Sequence, residues 1–380
     1  METDALLGNV GTSRQCNGID EKGYIDVVKA TPQSKWSWAW LRPQKPTGPR
    51  WMSLLDDDTP VSLLTIPGTH DSSAFTSSWP FISTQTLSYH AQLDAGIRYF
   101  DFRCTIRNNV VEMVHGPTFL GLTFESVLET LYAWLEKHPT EALIVQIKKE
   151  SEDQRSTIRL EDAISSHLAA RPDRWRTANT VPKLGELRGR IQLFRRYVDA
   201  NLHAFGLDVT RWMDNPRKPF TIYTHHDVKV TIQDHYTFVT PQSLPDFIAM
   251  KGGNVSELMR LAAASADPDH WFINFTSAFQ LNLYYQFPPR KIAVGGWHLF
   301  RWQDGINVRL RGSLADTEGE KRHFGIFAMD FPEQGAPDLI ATLINTNFDL
   351  SGETRWWDVP GYCILLLVLA MLLYGVYAGI

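Results

Sequence analysis

In LLTIPGTHDSSAF, residues 63 to 75, an apolar run breaks at Pro67–Gly68 and a histidine, an aspartate and two serines follow at once. The same transition recurs along the chain. GIRYFDFR delivers Asp101 and Arg103, VVEMV leads to His115–Gly116, and ALIVQI leads to Lys148, Lys149 and Glu150. IQLF leads to Arg195 and Arg196, VTIQD to Asp234 and then Tyr236, and GIFAM to Asp330. Two histidines with separate carboxylate neighbours suit a general base and a general acid. An arginine between them suits a phosphate in flight, because its planar fork donates two hydrogen bonds at once. No His/Cys/Asp cluster has metal-ligand spacing, and no Walker-type glycine loop is present. The pattern points to a phosphodiester split by acid–base catalysis, with a guanidinium in the place of a metal and no cofactor. Taken singly, Asp71 reads equally well as a helix cap, His115 as a packed loop histidine and Lys148–Lys149 as solvated surface. Seven apolar runs with the same ending argue for a shared mouth.

The runs themselves read as strands: Val61–Ile66, Tyr99–Cys104, Val110–Val114, Ala142–Ile147, Ile191–Phe194, Phe220–Tyr223, Trp271–Phe275 and Ile326–Met329. Thr123 is a good N-cap for a helix carrying Phe124, Val127, Leu128, Leu131, Tyr132 and Leu135 on one face, ended by His138–Pro139. A second helix is expected near Leu160–Ala170, and a third from Pro337 through LIATLINT. Such alternation favours α/β architecture with a parallel sheet or barrel, whose strand C-termini form one face and carry the chemistry.

The 380 residues, 43% of them hydrophobic, suffice for one barrel-sized domain with extensions. A net charge of −5 gives no reason to expect a nucleic-acid partner, so an anionic substrate must be caught by local cations. Cys16, Cys104 and Cys363 are too few and scattered for a disulfide framework or a zinc site. Residues 1–50 form a Trp-rich extension, with tryptophans at 36, 38 and 40, and show no secretory signal. Residues 51–350 hold the catalytic body. Residues 360–380 form an apolar tail in which Tyr362 to Ile380 carry no charge, close to the ~20 residues that span hydrocarbon. A transmembrane anchor is expected there, with Trp356–Trp357 and the tail tyrosines at the interface; a buried terminal helix is the alternative.

The motifs IPGTHDS, GIRYFDFR, VHGP, HPTEALIVQIKKE, RGRIQLFRRY, IQDHY, FINFTSA and AMDFP occur in an order that resembles bacterial-type phosphatidylinositol-specific phospholipase C, from about Trp51 to Asn347. The resemblance implies an irregular TIM-type (βα)8 barrel, with Pro67–Gly68 closing its first strand. It implies cleavage of phosphatidylinositol to diacylglycerol and inositol 1,2-cyclic phosphate. His70 would be the base, oriented by Asp330, and His115 the acid, paired with Asp71. Arg103, steadied by Asp101, would bind phosphate, while Lys148, Arg196, Asp234 and Tyr236 line the inositol pocket. Arginine at position 103 argues against calcium. His235 departs from the bacterial pattern, which has a basic residue there, and the His225–His226 pair reads as structural. Asn254 and Asn274 lie in glycosylation-type triplets.

The expected partner is phosphatidylinositol in a membrane, approached by a monomer through the C-terminal helix and through Trp79 and Phe81 in the loop after His70. The expected location is membrane-associated and C-terminally anchored, with cell-surface or secreted placement as the alternative. Two other readings fit the same motifs: a phosphodiesterase acting on a lysolipid or a glycosylated inositol lipid, and a non-catalytic inositol-lipid-binding protein.

Overall fold

The structure is a computed structural model that describes residues 47–198, 205–240, 242–317 and 319–350. Trp36, Trp38, Trp40 and the apolar tail 360–380 lie outside the described residues. Among the described residues no helix is long and apolar enough to cross a membrane.

Pro60 opens a single 3-10 turn, Val61–Leu63, so the first strand is β1 (Ile66–Thr69) and not the expected Val61–Ile66 run. Pro67 and Gly68 therefore lie inside the strand rather than closing it. Pro67 has no N–H to donate and stands where pairing with the neighbouring strand has not yet begun, while its carbonyl still accepts from the Arg98 N–H. Gly68 is required by crowding: a Cβ there would stand 2.7 Å from the Tyr99 Cβ and 2.9 Å from the Phe327 carbonyl oxygen. After α1 (Tyr89–Ala95) comes β2 (Tyr99–Arg107), longer than expected, which turns back through β3 (Val110–His115) and β4 (Thr118–Thr123).

Helix α2 (Phe124–Lys137) starts where Thr123 predicts, its hydroxyl accepting from the Ser126 N–H, and leads into β5 (Leu143–Lys149). Then follow α3 (Leu160–Ala169), β6 (Trp175–Arg176), α4 (Leu184–Leu187), β7 (Ile191–Arg196), β8 (Leu207–Asp208), β9 (Phe220–Tyr223) and β10 (Lys229–Gln233). The 20-residue α5 (Leu244–Ala263), which the strand-centred reading passed over, precedes β11 (His270–Phe275). Two small hairpins, β12 (Gln280–Leu281) with β13 (Gln286–Phe287) and β14 (Gly295–His298) with β15 (Arg301–Asp304), flank α6 (Pro289–Ala293). The described chain closes with α7 (Ile306–Ala315), β16 (Ile326–Met329) and α8 (Leu339–Asn345). The last helix is capped by Asp338, so Pro337 stands before it rather than in its first turn.

Seven strands run parallel in the order β7-β5-β2-β1-β16-β11-β10, and β9 adds antiparallel to β10. The sheet is curled. Phe194 of β7 and Trp271 of β11 are separated by four strands along the ladder, yet their rings meet edge to face at 5.1 Å. Among the described residues no ladder joins β8 to β9, and a cleft of about 250 Å3 lined by Asp208, Arg211, Ile222, Tyr223 and Thr224 lies there. The α/β architecture with a parallel sheet is as expected, and the barrel has an open seam.

One buried ion pair ties the closed base together. Arg98 and Glu141 are both fully buried, with the guanidinium 2.7 Å from Glu141 Oε2. Arg98 also donates to the carbonyls of Leu93, Ile97 and Pro49, and lies 4.7 Å above the Trp134 ring. Glu141 in turn accepts from the Met52 and Ser53 N–H groups, fastening the first turn of the body to the β2–β5 edge. Removing one partner strands the other charge, so Glu141→Ala is expected to lower the unfolding free energy by ~3–5 kcal/mol in a urea titration.

Candidate active site

Parallel register turns the curled sheet into layers. Tyr99, Ile144 and Gln192 are neighbours on β2, β5 and β7; two residues on come Asp101, Gln146 and Phe194; two further come Arg103, Lys148 and Arg196. Period two sends all three layers to the same, inward face, with the cations uppermost. The alternate residues point out. Lys149 pairs with Asp153 at 2.8 Å and Arg195 with Asp208 at 2.8 Å, so neither belongs to the mouth. On the other strands the inward phase runs through Gly68 to His70 and through Ala328 to Asp330. It runs likewise through Ile273 to Phe275 and through Ile232 to Asp234.

His115 arrives by another route. It is not at the end of a parallel barrel strand, because β3 runs antiparallel to β2. The β2–β3 hairpin overshoots the rim, and β3 then brings the histidine back to the level of Arg103. Asp71 meets it from the loop after β1. Its backbone is in the left-handed region (φ 42°), and its N–H donates to Asp101 Oδ2 at 3.1 Å. Thr84 and Gln85 hold this turn by donating to the carbonyl oxygens of His70 and Asp71.

The result is a cavity of about 390 Å3. His70, Arg103, His115, Lys148, Arg196, Asp234, Tyr236 and Asp330 all line it, while Asp71 and Asp101 are buried behind it. His70 Nδ1 lies 2.8 Å from Asp330 Oδ1, and its Nε2 lies 2.8 Å from Arg103 Nη2. A guanidinium has no acceptor, so Nε2 must be the unprotonated nitrogen and Nδ1 the one that donates to Asp330. His115 Nδ1 is 2.7 Å from Asp71 Oδ2. Arg103 is ringed by Asp101 at 3.4 Å, Glu150 at 3.5 Å and Asp71 at 3.7 Å.

Electrostatics follow from that ring. Burial works against the Arg103 charge, but Asp101, Glu150 and Asp71 outweigh it and hold the guanidinium above its ordinary value. Burial likewise opposes the charged form of Asp101, yet Arg103, His70 and Arg196 pull its carboxyl down to about 2. For His70, burial and Arg103 both disfavour the imidazolium; Asp330 more than compensates, leaving the ring above its ordinary 6.5.

On the far wall, Arg196 lies 4.0 Å over the Trp212 ring, whose indole N–H donates to Asp234 Oδ2 at 2.9 Å. Tyr236 donates to Asp214 at 2.9 Å and stacks on Phe279. Phe81 lines the cavity, whereas Trp79 is 75% exposed and does not. His235 turns away from the cavity to meet Asn254 and the Phe238 ring. His226 lies in an exposed turn with φ 64°. Asn254 is bonded to His235, and Asn274 is buried and donates to the Val255 carbonyl, so neither amide stands free for a glycan. Among the described residues no group of three His, Cys, Asp or Glu is arranged to hold a metal ion.

Sequence reasoning missed several of these residues. Glu150, which bridges Arg103 and Lys148 (2.7 Å), reads as surface when it follows two lysines. Trp212 and Asp214 sit in a segment without periodicity. Lys251 is 0% exposed on α5, its ammonium bonded to Gln233 Oε1 and the His235 carbonyl. Burial lowers it to about 7. Its position on a helix that was not foreseen left no signal.

Residues 60–197 match the family model described as phosphatidylinositol-specific phospholipase C, X domain. The chain is 30% identical over 327 residues to the 1-phosphatidylinositol phosphodiesterase of Listeria monocytogenes, an alignment covering 81% of this chain and 88% of that one. The chain belongs to the phosphatidylinositol-specific phospholipase C family. The solved phospholipase C of Staphylococcus aureus (F249X mutant) superposes with a TM-score of 0.67 at 23% identity, covering 80% of this chain and 98% of that one. For the Listeria monocytogenes enzyme the score is 0.59 at 26% identity, covering 80% and 99%.

The Asp101 carboxyl gives the family's inner layer a measurable acid limit. Its folded value lies below the ordinary 3.8, so its contribution is complete above about pH 4 and is lost as pH falls towards 2. That gap corresponds to about 2 kcal/mol. Between pH 5 and pH 2 the wild-type urea midpoint should fall more steeply than that of Asp101→Asn.

Proposed function

We propose that the chain cleaves phosphatidylinositol to diacylglycerol and inositol 1,2-cyclic phosphate, without a metal ion, by acid–base catalysis between His70 and His115. The observation that carries this reading is the contact of Arg103 Nη2 with His70 Nε2 at 2.8 Å beside the His115–Asp71 pair. A base nitrogen, a fixed cation and a second imidazole then face one cavity.

In the reaction, the headgroup takes the place of the Arg103–His70 contact. Nε2 of His70 accepts the proton of the inositol 2-hydroxyl as that oxygen attacks phosphorus, and Asp330 stabilises the imidazolium formed. Arg103, kept cationic by Asp101, Glu150 and Asp71, donates to the phosphate oxygens as their charge grows, in the role a divalent cation could otherwise fill. His115, paired with Asp71, gives its proton to the departing diacylglycerol oxygen, and the phosphorus–oxygen bond to diacylglycerol breaks. Lys148, Arg196, Asp234 and Tyr236 receive the ring hydroxyls, with Glu150 and Trp212 fixing the side chains that do so.

The substrate's lipid tails place the mouth against a membrane. Phe81 at the cavity edge and Trp79 beyond it suit that approach, since tryptophan favours the interfacial depth. Anchoring by residues 360–380 belongs to the same proposal and rests on the sequence alone.

The full chain, incubated with phosphatidylinositol vesicles and a chelator, should release cyclic inositol phosphate detectable by phosphorus NMR. His70→Ala and His115→Ala should each lower kcat by on the order of 10²–10⁴ while melting near the wild type. Full activity of either variant would remove the assignment, and a headgroup panel separates this reading from other phosphodiesters. The pH profile adds an independent check. The base works only when neutral, so kcat/KM should rise with pH through a value above 6.5. In Asp330→Asn the attraction holding His70 up is gone, and that limb should move to lower pH with a reduced plateau.

A further inference from the structure

The β14–β15 hairpin breaks a local rule at its tip. Its register pairs Gly295 with Asp304, Trp297 with Trp302 and His298 with Arg301, leaving Leu299–Phe300 as a two-residue apex. Such turns call for Gly, Asn or Asp, because the first apex residue must take a positive φ. Here Leu299 takes it, at 54°. The apex is also bare: Leu299 is 82% and Phe300 98% exposed, with Trp297 at 64% and Trp302 at 47% just below. The hairpin forms its own two-stranded sheet, and none of these four side chains joins a core cluster of the described residues. The Trp297 and Trp302 rings meet edge to face at 6.2 Å and hold the legs together, but they leave the apex uncovered; strain and exposure together at that tip mark a contact made with something else.

We infer that this hairpin is a membrane wedge, with Leu299 and Phe300 entering the hydrocarbon and the flanking His298, Arg301, Trp297 and Trp302 resting together at the headgroup level. Three observations choose a lipid bilayer over a protein. The apolar element is a convex tip two residues wide, whereas a stable protein interface needs a broad patch of about 800 Å2 per partner. His298 and Arg301 flank the apex and Trp297 and Trp302 follow one residue further from it, which gathers around an apolar tip the aromatic and basic side chains that populate the headgroup level. Its foot is also stiff and near the site. A Cβ at Gly295 would meet the Gln303 carbonyl oxygen at 2.4 Å, and one at Gly305 the Ala293 carbonyl oxygen at 2.3 Å, so the two legs close tightly on the end of α6. That five-residue helix begins at Pro289, which lines the catalytic cavity. The choice of phosphatidylinositol as the lipid rests on the proposed function; insertion itself does not.

The test uses the full chain bound to phosphatidylcholine–phosphatidylinositol vesicles with brominated acyl chains. The difference in tryptophan quenching between wild type and Trp297→Phe/Trp302→Phe isolates the hairpin indoles. They should be quenched in the wild type and escape quenching in a Leu299→Ser/Phe300→Ser variant. That variant should lose about tenfold in turnover of vesicular phosphatidylinositol, from the lost apolar burial, and keep wild-type turnover of a water-soluble short-chain phosphatidylinositol. Hairpin indoles that stay unquenched in the vesicle-bound wild type would overturn the proposal and leave a protein as the partner. Equal vesicle turnover by the variant would overturn it too. Failure of the wild type on the short-chain lipid would instead count against the proposed reaction, with quenching still deciding the wedge.

Discussion

A single guanidinium organises the mouth of this barrel. Arg103 is half-buried under a rim where it meets three carboxylates and an imidazole within 4 Å. A lone cation there would be costly, and so would any one of the carboxylates; together they hold each other charged. The neighbourhood explains apparently separate features. Asp71 adopts a left-handed backbone because its N–H must reach Asp101 while its carboxylate faces both Arg103 and His115. Gln146 donates to the remaining oxygen of Asp101, so the layer beneath the cations is polar where a barrel interior is usually aliphatic.

The sequence carries this centre well, because barrel strands write their inward residues at every second position. GIRYFDFR spells three layers of the interior in order, and the partner strands repeat the phase. Strand boundaries were less legible. IPGT looks like a terminator, and only its long-range partners, Phe327 beside Pro67 and Tyr99 crowding Gly68, make it a strand. His115 was found as a residue but misplaced as an element, since a short apolar run does not say whether it runs parallel or antiparallel. Trp212 and Lys251 were invisible, and Glu150 was seen at its strand end without a role, for a common reason: their significance lies in long-range partners, and no local pattern encodes those.

Lys251 illustrates what lies beneath the visible site. Its ammonium joins Gln233 and the His235 carbonyl, and Gln233 donates onward to Asn274 and the Phe275 carbonyl. Phe275 meets the His70 ring edge to face at 5.9 Å. A buried polar network thus ties the ends of β10 and β11 together directly behind His70, where an apolar core would leave both loops free to slide.

The open seam has a mechanical consequence. Arg196 stands on β7, Asp234 just past β10, and the Trp212 ring between them spans a gap that no ladder of the described residues crosses. Whatever grips both Arg196 and Asp234 acts as a clasp on an unzipped cylinder. Occupancy of the pocket is therefore coupled to any opening between β8 and β9, and amide exchange along that edge should report how tightly the clasp is shut.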